Sequence, residues 1–548
     1  MVPTPGRVVT RADIARRTAV RRPVVSNWQR RHADFPGVVS RSDEGVELFS
    51  EAEVQTWLDG RVIPANARLA GEGAGATYGD RFRPEDTATE FLAAVRALVG
   101  DPQHFGDHVP LDHYLLLLMA LIHLRQLRPE TWRACVGRPD RAALAVREFL
   151  RENGRHQLSD LVSRLLERCP PHMLAGVVGA LDTGEPEKPT TSGFEAGASA
   201  FDLLLAAYGE VAGGTAGELP TPPAVARAVA GMLMGEPPSG EGTLMRLHDP
   251  YCRGGEMLAA SVDAVRATVS TPLRLSVSGA GAGALQSELA GMNLAQRGQP
   301  ADLRPEPEPG PGPGPEDRGS GPGARFDRVL VNPPFNARLS SGSGGSVPHW
   351  RYGDPPLHNA NYDWLQYVVH TLSERGRACV VMPTNAASSA HPGERRIRRA
   401  MIEDGAVEGL VALPPQLFAA TAVAVTVWLL KHPTGSCQDV FFADATGLGS
   451  MTSRTRRVLA AEDTDLLVRT ARSREEREGF SRIAGIEEIR ANGYSLSATA
   501  YLATRATAPV QTATGGRVRA LNRRLAELGD QARDIDRHIQ DLFEEYGL

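Results

Sequence analysis

The chain has 548 residues, 42% of them hydrophobic, which is enough for ordinary cores in three or four domains. Its net charge of −5 excludes a uniformly basic coat, so any contact with nucleic acid must come from local patches. Five widely spaced cysteines, Cys135, Cys169, Cys252, Cys379 and Cys437, form no Cys-x-x-Cys pair and fit a reduced cytoplasmic protein without structural zinc, while the most apolar stretch, Tyr114 to Leu124, is too short to span a bilayer.

Residues 1–62 read as a compact unit with a basic face. Arg7, Arg11, Arg16, Arg17, Arg21, Arg22, Arg30 and Arg31 meet only Asp13 across the first 31 residues. Arg11 to Thr18 and Arg22 to His32 are predicted helices joined by a tight turn, with Ile14, Ala15, Val20, Val25 and Trp28 spaced as a small helix-turn-helix core. That packing leaves Arg22, Ser26, Asn27, Arg30 and Arg31 toward a DNA groove. A hairpin wing is predicted from Phe35 to Phe49, centred on Ser42-Asp43-Glu44-Gly45, and a closing helix from Glu51 to Leu58. The unit resembles the winged helices of the MerR and excisionase kind. A small helical bundle with a solvated arginine face is the alternative.

Residues 63–200 read as a helical domain and linker. Apolar residues recur at three- and four-residue steps through Phe91-Leu92, Val95 and Leu98, and again through Leu158, Leu161-Val162 and Leu165. A Pro, Gly, Thr and Ser-rich link follows at 183–200. His104, His108, His113 and His123 match no metal-ligand spacing, and no metal is expected.

Residues 201–505 alternate strands with helices, the pattern of an α/β domain with a mostly parallel sheet. The predicted strands are Leu244 to His248, Leu273 to Gly279, Phe326 to Val331, Arg377 to Met382, Ala406 to Leu413 and Ala424 to Leu430. Thr221-Pro222-Pro223 opens a helix with prolines in its first turn. The first predicted strand runs into Asp249-Pro250-Tyr251-Cys252-Arg253-Gly254-Gly255-Glu256, a glycine-containing turn that lets a ligand approach the backbone at a helix N-terminus. A Pro/Gly/Glu tract from Leu303 to Ala324 is too poor in apolar residues to fold and reads as a disordered insertion.

Asn332-Pro333-Pro334-Phe335 follows the apolar run Val329-Leu330-Val331. An exocyclic base nitrogen is a poor nucleophile because its lone pair is delocalised, and acceptors on its two N–H groups restore density to it. Asn332 supplies one acceptor and the Pro333 carbonyl another, while successive prolines hold the backbone extended and add no competing N–H. Phe335 offers a stacking face for a flipped base. The same tetrapeptide suits a plain turn; its place at the carboxyl end of a buried strand, where open α/β sheets bind ligands, favours the functional reading.

Residues 506–548 carry Val518, Leu521, Leu525, Leu528, Ala532, Ile535, Ile539, Leu542 and Tyr546 at alternating three- and four-residue steps, the seam of a coiled-coil helix. It seeks either another chain or the protein's own helical domain.

The order of these parts resembles a family: the gamma-class adenine-N6 DNA methyltransferases, and within them the modification subunits of type I restriction-modification systems. Thr221-Pro222, the glycine turn, Ala290-Gly291-Met292-Asn293-Leu294 and Asn332-Pro333-Pro334-Phe335 come in the family's order, followed by Asn361-Tyr362-Asp363-Trp364-Leu365-Gln366, Gly393-Glu394-Arg395-Arg396-Ile397-Arg398 and Leu413-Pro414-Pro415-Gln416-Leu417-Phe418. The resemblance implies a Rossmann-like methyltransferase sheet, S-adenosylmethionine as methyl donor and adenine N6 in double-stranded DNA as acceptor. It assigns Asn332, Pro333, Pro334 and Phe335 to the amine and the flipped base. Thr221, Pro222, Asp249, Gly254 and Gly255 fall to the donor pocket, and Asp302 to the donor's adenine edge. It also implies a role in restriction or phage defence, with specificity taken from a separate subunit. A specificity subunit or a second copy would join through the C-terminal helix. Arg253 and Glu256 stand where the family has glycines, and Gly281 where it has an acidic residue. These departures sustain a second reading, a methylase-derived DNA-binding or regulatory protein with a decayed donor site.

Overall fold

The computed structural model describes residues 8–41, 45–64, 67–68, 75–82, 87–100, 109–183, 195–212, 220–234, 244–268, 274–281, 283–305, 325–338, 350–418 and 423–502. The C-terminal heptads at 506–548, the hairpin tip Ser42 to Glu44 and the Pro/Gly/Glu tract beyond Pro305 lie outside the described residues. Two compact units share the chain: residues 1–213 with 288–300, and residues 214–287 with 301–548.

In the first unit, helices Arg11–Arg17 and Arg22–Arg31 are followed by the antiparallel strands Val38–Arg41 and Glu47–Ser50 and by the helix Glu51–Asp59. A strand at Val8–Thr10 pairs with Glu47–Ser50 and has no signal in the sequence, being three residues long. The Ser50 hydroxyl accepts from the Glu53 N–H and so caps the helix that follows. Ile14, Val25, Phe49, Val54 and Leu58 form the core, and Phe82 of the helix Tyr78–Phe82 completes it. The packing therefore extends past residue 62. Arg22, Arg30 and Arg31 are exposed and make no ion pair among the described residues.

Seven longer helices follow, from Thr87–Gly100 to Glu195–Val211. The helix Leu111–Leu127 is buried from Tyr114 to Gln126, as a helix apolar on all sides must be. No helix among the described residues is long and apolar enough to cross a membrane. The helix Glu195–Val211 begins inside the stretch that composition marks as linker; its small residues Ala196, Ala198 and Ala200 are buried, so a composition signal for flexibility is here one for close packing. Glu288 caps the helix His156–Leu166, its carboxylate accepting from the N–H groups of Gln157 at 3.0 Å and Leu158 at 2.9 Å.

The second unit is built on nine strands: β1 Leu244–Cys252, β2 Arg274–Gly281, β3 Ala301–Pro305, β4 Phe326–Val331, β5 Leu372–Pro383, β6 Val407–Ala412, β7 Val425–Lys431, β8 Asp439–Asp444 and β9 Ser481–Gly485. Their order across the sheet is 3-2-1-4-5-7-6-8-9, with β7 antiparallel to β5 and β6, β9 antiparallel to β8, and the remaining pairs parallel. This is the Rossmann-like α/β sheet expected. β3, β8 and β9 add to the six strands legible in the sequence. The strand order reverses between β1 and β4, which opens a crevice at their carboxyl ends. β4 is buried at five of its six positions, the mark of a central parallel strand covered on both faces.

Phe82→Ala is expected to destabilise the N-terminal core by about 3–5 kcal/mol, the usual loss for a buried phenylalanine. Urea unfolding followed by tryptophan fluorescence, which reports on Trp28 and Trp57 beside this core, measures it.

Candidate active site

β1 and β4 deliver the two sequence motifs to the same crevice, since Leu247 pairs with Arg328 and His248 with Val329 on neighbouring parallel strands. Asn332 is 2% exposed, as is Thr221 at the start of the helix Pro223–Leu233. Asn332 Nδ2 donates to Thr221 Oγ1 at 3.1 Å. With the amide nitrogen so committed, Oδ1 points elsewhere, buried and without a hydrogen-bond partner. A buried carbonyl oxygen left unpaired costs about 1–3 kcal/mol, so this one is poised for a donor. No donor among the described residues engages the Pro333 carbonyl.

The loop beyond the tetrapeptide is fixed from one side. Asn336 adopts a left-handed φ of 53°, and its amide is paired twice with Asn361 at the start of the helix Asn361–Thr371. The Asn336 N–H donates to Asn361 Oδ1 at 3.1 Å, and Asn361 Nδ2 donates to Asn336 Oδ1 at 2.9 Å. A third bond runs from the Ala360 N–H to the Ala337 carbonyl at 2.8 Å. Phe335, partly exposed, meets Phe418 edge to face, centroids 6.1 Å apart. Phe418 therefore joins the site as a second aromatic, a partner that sequence spacing does not give because 83 residues separate the two rings. Gln416, two residues earlier, holds a φ of 65°, uncommon for a side-chain-bearing residue, and shapes the loop that presents Phe418.

Asp249 closes the other side. It is 3% exposed, and its Oδ1 accepts from the Tyr251 N–H at 3.0 Å, which tightens the turn. Burial pushes its carboxyl up to about 7, against the pull of the Arg253 charge. Arg253 is 3% exposed, lies 5.3 Å from the centroid of the Tyr251 ring and feels Glu256 and Asp249 as counter-charges. Glu256 opens the helix Glu256–Thr268 and accepts from the Gly254 N–H at 3.2 Å. Only Gly255 in this turn has a left-handed φ, 72°, and it is a glycine still. Arg253 and Glu256 take ordinary backbone angles, so neither strains the turn.

Two other expectations fare differently. A Cβ at Gly281 would lie 1.9 Å from Ser287 Oγ, whose own bond to the Arg304 carbonyl fixes it there. The serine hydroxyl thus fills the space an acidic side chain would need. Asp302 is on the edge strand β3, two strands from β1, and pairs with Arg304 at 3.2 Å with most of its carboxylate in solvent.

An α/β sheet that reverses between β1 and β4, with a polar acceptor and an aromatic at one strand end and a buried acid at the other, is the architecture of a ligand-binding crevice at a topological switch point. The chain belongs to the N-6 DNA Methylase family, whose model matches residues 196–509. Its members methylate adenine N6 in DNA with S-adenosylmethionine as donor, and this chain is an adenine DNA methyltransferase. It is 29% identical over 312 residues to the type I restriction enzyme HindI methylase subunit of Haemophilus influenzae, covering 56% of this chain and 68% of that one. Over 324 residues it is 28% identical to the MjaIX methylase subunit of Methanocaldococcus jannaschii, covering 56% of this chain and 55% of the relative. The crystal structure of a type I restriction-modification methyltransferase subunit from Streptococcus thermophilus shares the fold with a TM-score of 0.58 at 19% identity, covering 76% of this chain and all of that one. The decayed-methylase reading is not favoured by this membership.

Gly281→Asp is expected to lower the thermal unfolding midpoint by several degrees through its collision with Ser287, and Ser287→Gly in the same chain to recover most of the loss. Calorimetric melting of the two variants checks this; equal melting of the single and double variants would contradict the collision.

Proposed function

We propose that Asn332 Oδ1 and the Pro333 carbonyl accept the two N–H groups of a flipped adenine, and that Phe335, with Phe418 at its edge, supports the base. The observation that carries this is the buried, unpaired Oδ1 of an amide whose nitrogen is already held by Thr221. Accepting both hydrogens concentrates electron density on the exocyclic nitrogen, and Pro334 keeps the acceptors on a stiff, extended backbone. S-adenosylmethionine supplies a methyl group on a positively charged sulfur. Asp249, Gly254, Gly255, Thr221 and Pro222 form the wall for this donor, and Gly255 lets it lie against the backbone. The donor's methionyl end carries both signs, and Arg253 and Glu256 offer one of each. Once the methyl is on nitrogen the amine loses a proton to water, and no covalent link to the protein is required; positioning does most of the work.

On this reading Thr221 acts on the amine through Asn332, by choosing which amide atom faces it. The names of the relatives, methylase subunits of type I restriction enzymes, support a chain that serves as the methylating subunit of a multi-subunit restriction-modification enzyme. The heptad-patterned segment 506–548, outside the described residues, is the proposed point of attachment for a specificity subunit or a second copy. The unpaired Arg22, Arg30 and Arg31, with Ser26 and Asn27 between them, support a DNA-contacting role for the N-terminal unit.

Asn332→Ala is expected to bind donor and DNA normally and to lose at least a thousandfold in methyl transfer, about 4 kcal/mol of transition-state stabilisation. Thr221→Val should lower kcat at least tenfold with little change in donor KM, and Thr221→Ser should restore it. Tritiated-methyl transfer to DNA reads all three, and retained transfer by Asn332→Ala removes the assignment. For Asp249, binding of a cationic donor favours the ionised carboxylate. Donor affinity in the free protein is therefore expected to rise about tenfold between pH 6 and 8, with proton release near pH 7. The sign for stability is opposite. Because the folded carboxyl is raised above its usual 3.8, the protein loses stability as pH climbs from about 4 to 7 and loses no more above that. Calorimetry in buffers of different ionisation enthalpy tests the first, and chemical denaturation across pH the second.

A further inference from the structure

An arginine-lined cleft of about 1000 Å³ lies among the amino-terminal halves of β4, β6 and β8, the adjoining parts of β5 and β7, and the last turns of helices Pro223–Leu233 and Ala461–Ser473. Arg328, on its wall, is four residues before Asn332, roughly 13 Å away along an extended strand, so the cleft is separate from the methyl-transfer crevice.

Arg328 is 8% exposed. Its Nη1 donates to the Asp327 carbonyl at 2.8 Å, but its Nε is buried without a partner. Directly across the parallel ladder sits Arg377, which adds a like charge beside it. The nearest acid on the wall, Glu408, is 3.3 Å from Arg377. That carboxylate is paired with Arg377, while Arg328 feels Asp327 and Glu408 as counter-charges and makes no ion pair among the described residues. At the mouth Arg469 and Arg472 are exposed and make no ion pair among the described residues, whereas Arg474 is already committed to Asp439. The cleft holds a surplus of positive charge, one part of it desolvated, and a buried cation without a matching anion is costly. Glu475, also on the wall, is taken up by Arg477 at 3.0 Å, and Met232, Leu429 and Phe441 make the apolar part of the lining.

We propose that this cleft binds a phosphorylated small molecule of nucleotide size, with its phosphate oxygens on Arg328, Arg377, Arg469 and Arg472 and its organic part against Leu429 and Phe441. The planar fork of a guanidinium matches phosphate oxygens in pairs. The volume lies at the upper end of that of small-molecule sites, and the apolar floor favours an organic phosphate over the bare ion.

The full chain is titrated by calorimetry with pyrophosphate and with guanosine diphosphate, whose base differs from the adenine of the methyl donor. Both are expected to bind, the nucleotide more tightly, and both to weaken at least tenfold in the double variant Arg469→Gln/Arg472→Gln, which changes only exposed positions. Donor affinity should stay as it is. Arg328→Met provides a second reading: in phosphate-free buffer it should melt no lower than the parent, because an uncompensated buried charge is gone, and it should lose the rise in melting temperature that pyrophosphate gives the parent. The proposal is overturned if neither probe binds at millimolar concentration, if binding is equal in parent and double variant, or if only a DNA duplex responds to the substitution.

Discussion

One hydrogen bond, from Asn332 Nδ2 to Thr221 Oγ1, fixes which end of the buried amide is committed in this crevice. A primary amide has a donating and an accepting end of nearly equal size, and a half-turn exchanges them. Held by the threonine through its nitrogen, it leaves only its oxygen buried and unpaired. The two residues come from β4 and from the helix that precedes β1, 111 positions apart, so the sheet has to form before the amide is oriented. The pair Asn336–Asn361 plays the matching part for the backbone, holding the loop that follows Pro333 and Pro334.

The glycine turn at the end of β1 tolerates departures from the pattern of the family. Where the chain needs a left-handed residue it has Gly255; where the backbone angle is ordinary it carries Arg253 and Glu256, a cation and an anion buried or half-buried beside Asp249. Desolvation raises the acid and the neighbouring arginine lowers it, with the first effect the larger, and the net result is a carboxyl that titrates near neutrality.

Much of this was legible in the sequence because the signals are local. β4 has the predicted boundaries, from Phe326 to Val331, because the apolar run Val329-Leu330-Val331, with Phe326 ahead of it and Asn-Pro behind it, admits little else. The helices of the N-terminal unit were readable from the spacing of Ile14, Val25 and Trp28. What was not legible depends on distant pairing. β3 is an edge strand whose exposed Asp302 and Arg304 give no apolar alternation, and β8 and β9 are short and find their partners across the sheet. Phe418, the steric refusal of a side chain at Gly281 and the second role of Thr221 are likewise facts of three-dimensional proximity. Motif order gives Asp302 a place near the donor's adenine only by analogy, and its position on the edge strand beside Arg304 comes from the sheet alone.

Glu288 caps the helix His156–Leu166, and the same stretch of chain supplies Gln296 to His123 and Arg297 to Asp202. As the polypeptide leaves the ribosome, the amino-terminal unit must therefore wait for roughly ninety further residues, including β1 and β2, before its last polar partners emerge. Until then the first N–H groups of that helix have no carboxylate to meet them and His123 lacks its amide. Synthesis of the transferase strands and completion of the preceding unit are interleaved in time, so a chain cut short near residue 213 would present an unfinished surface to chaperones and proteases rather than a finished module.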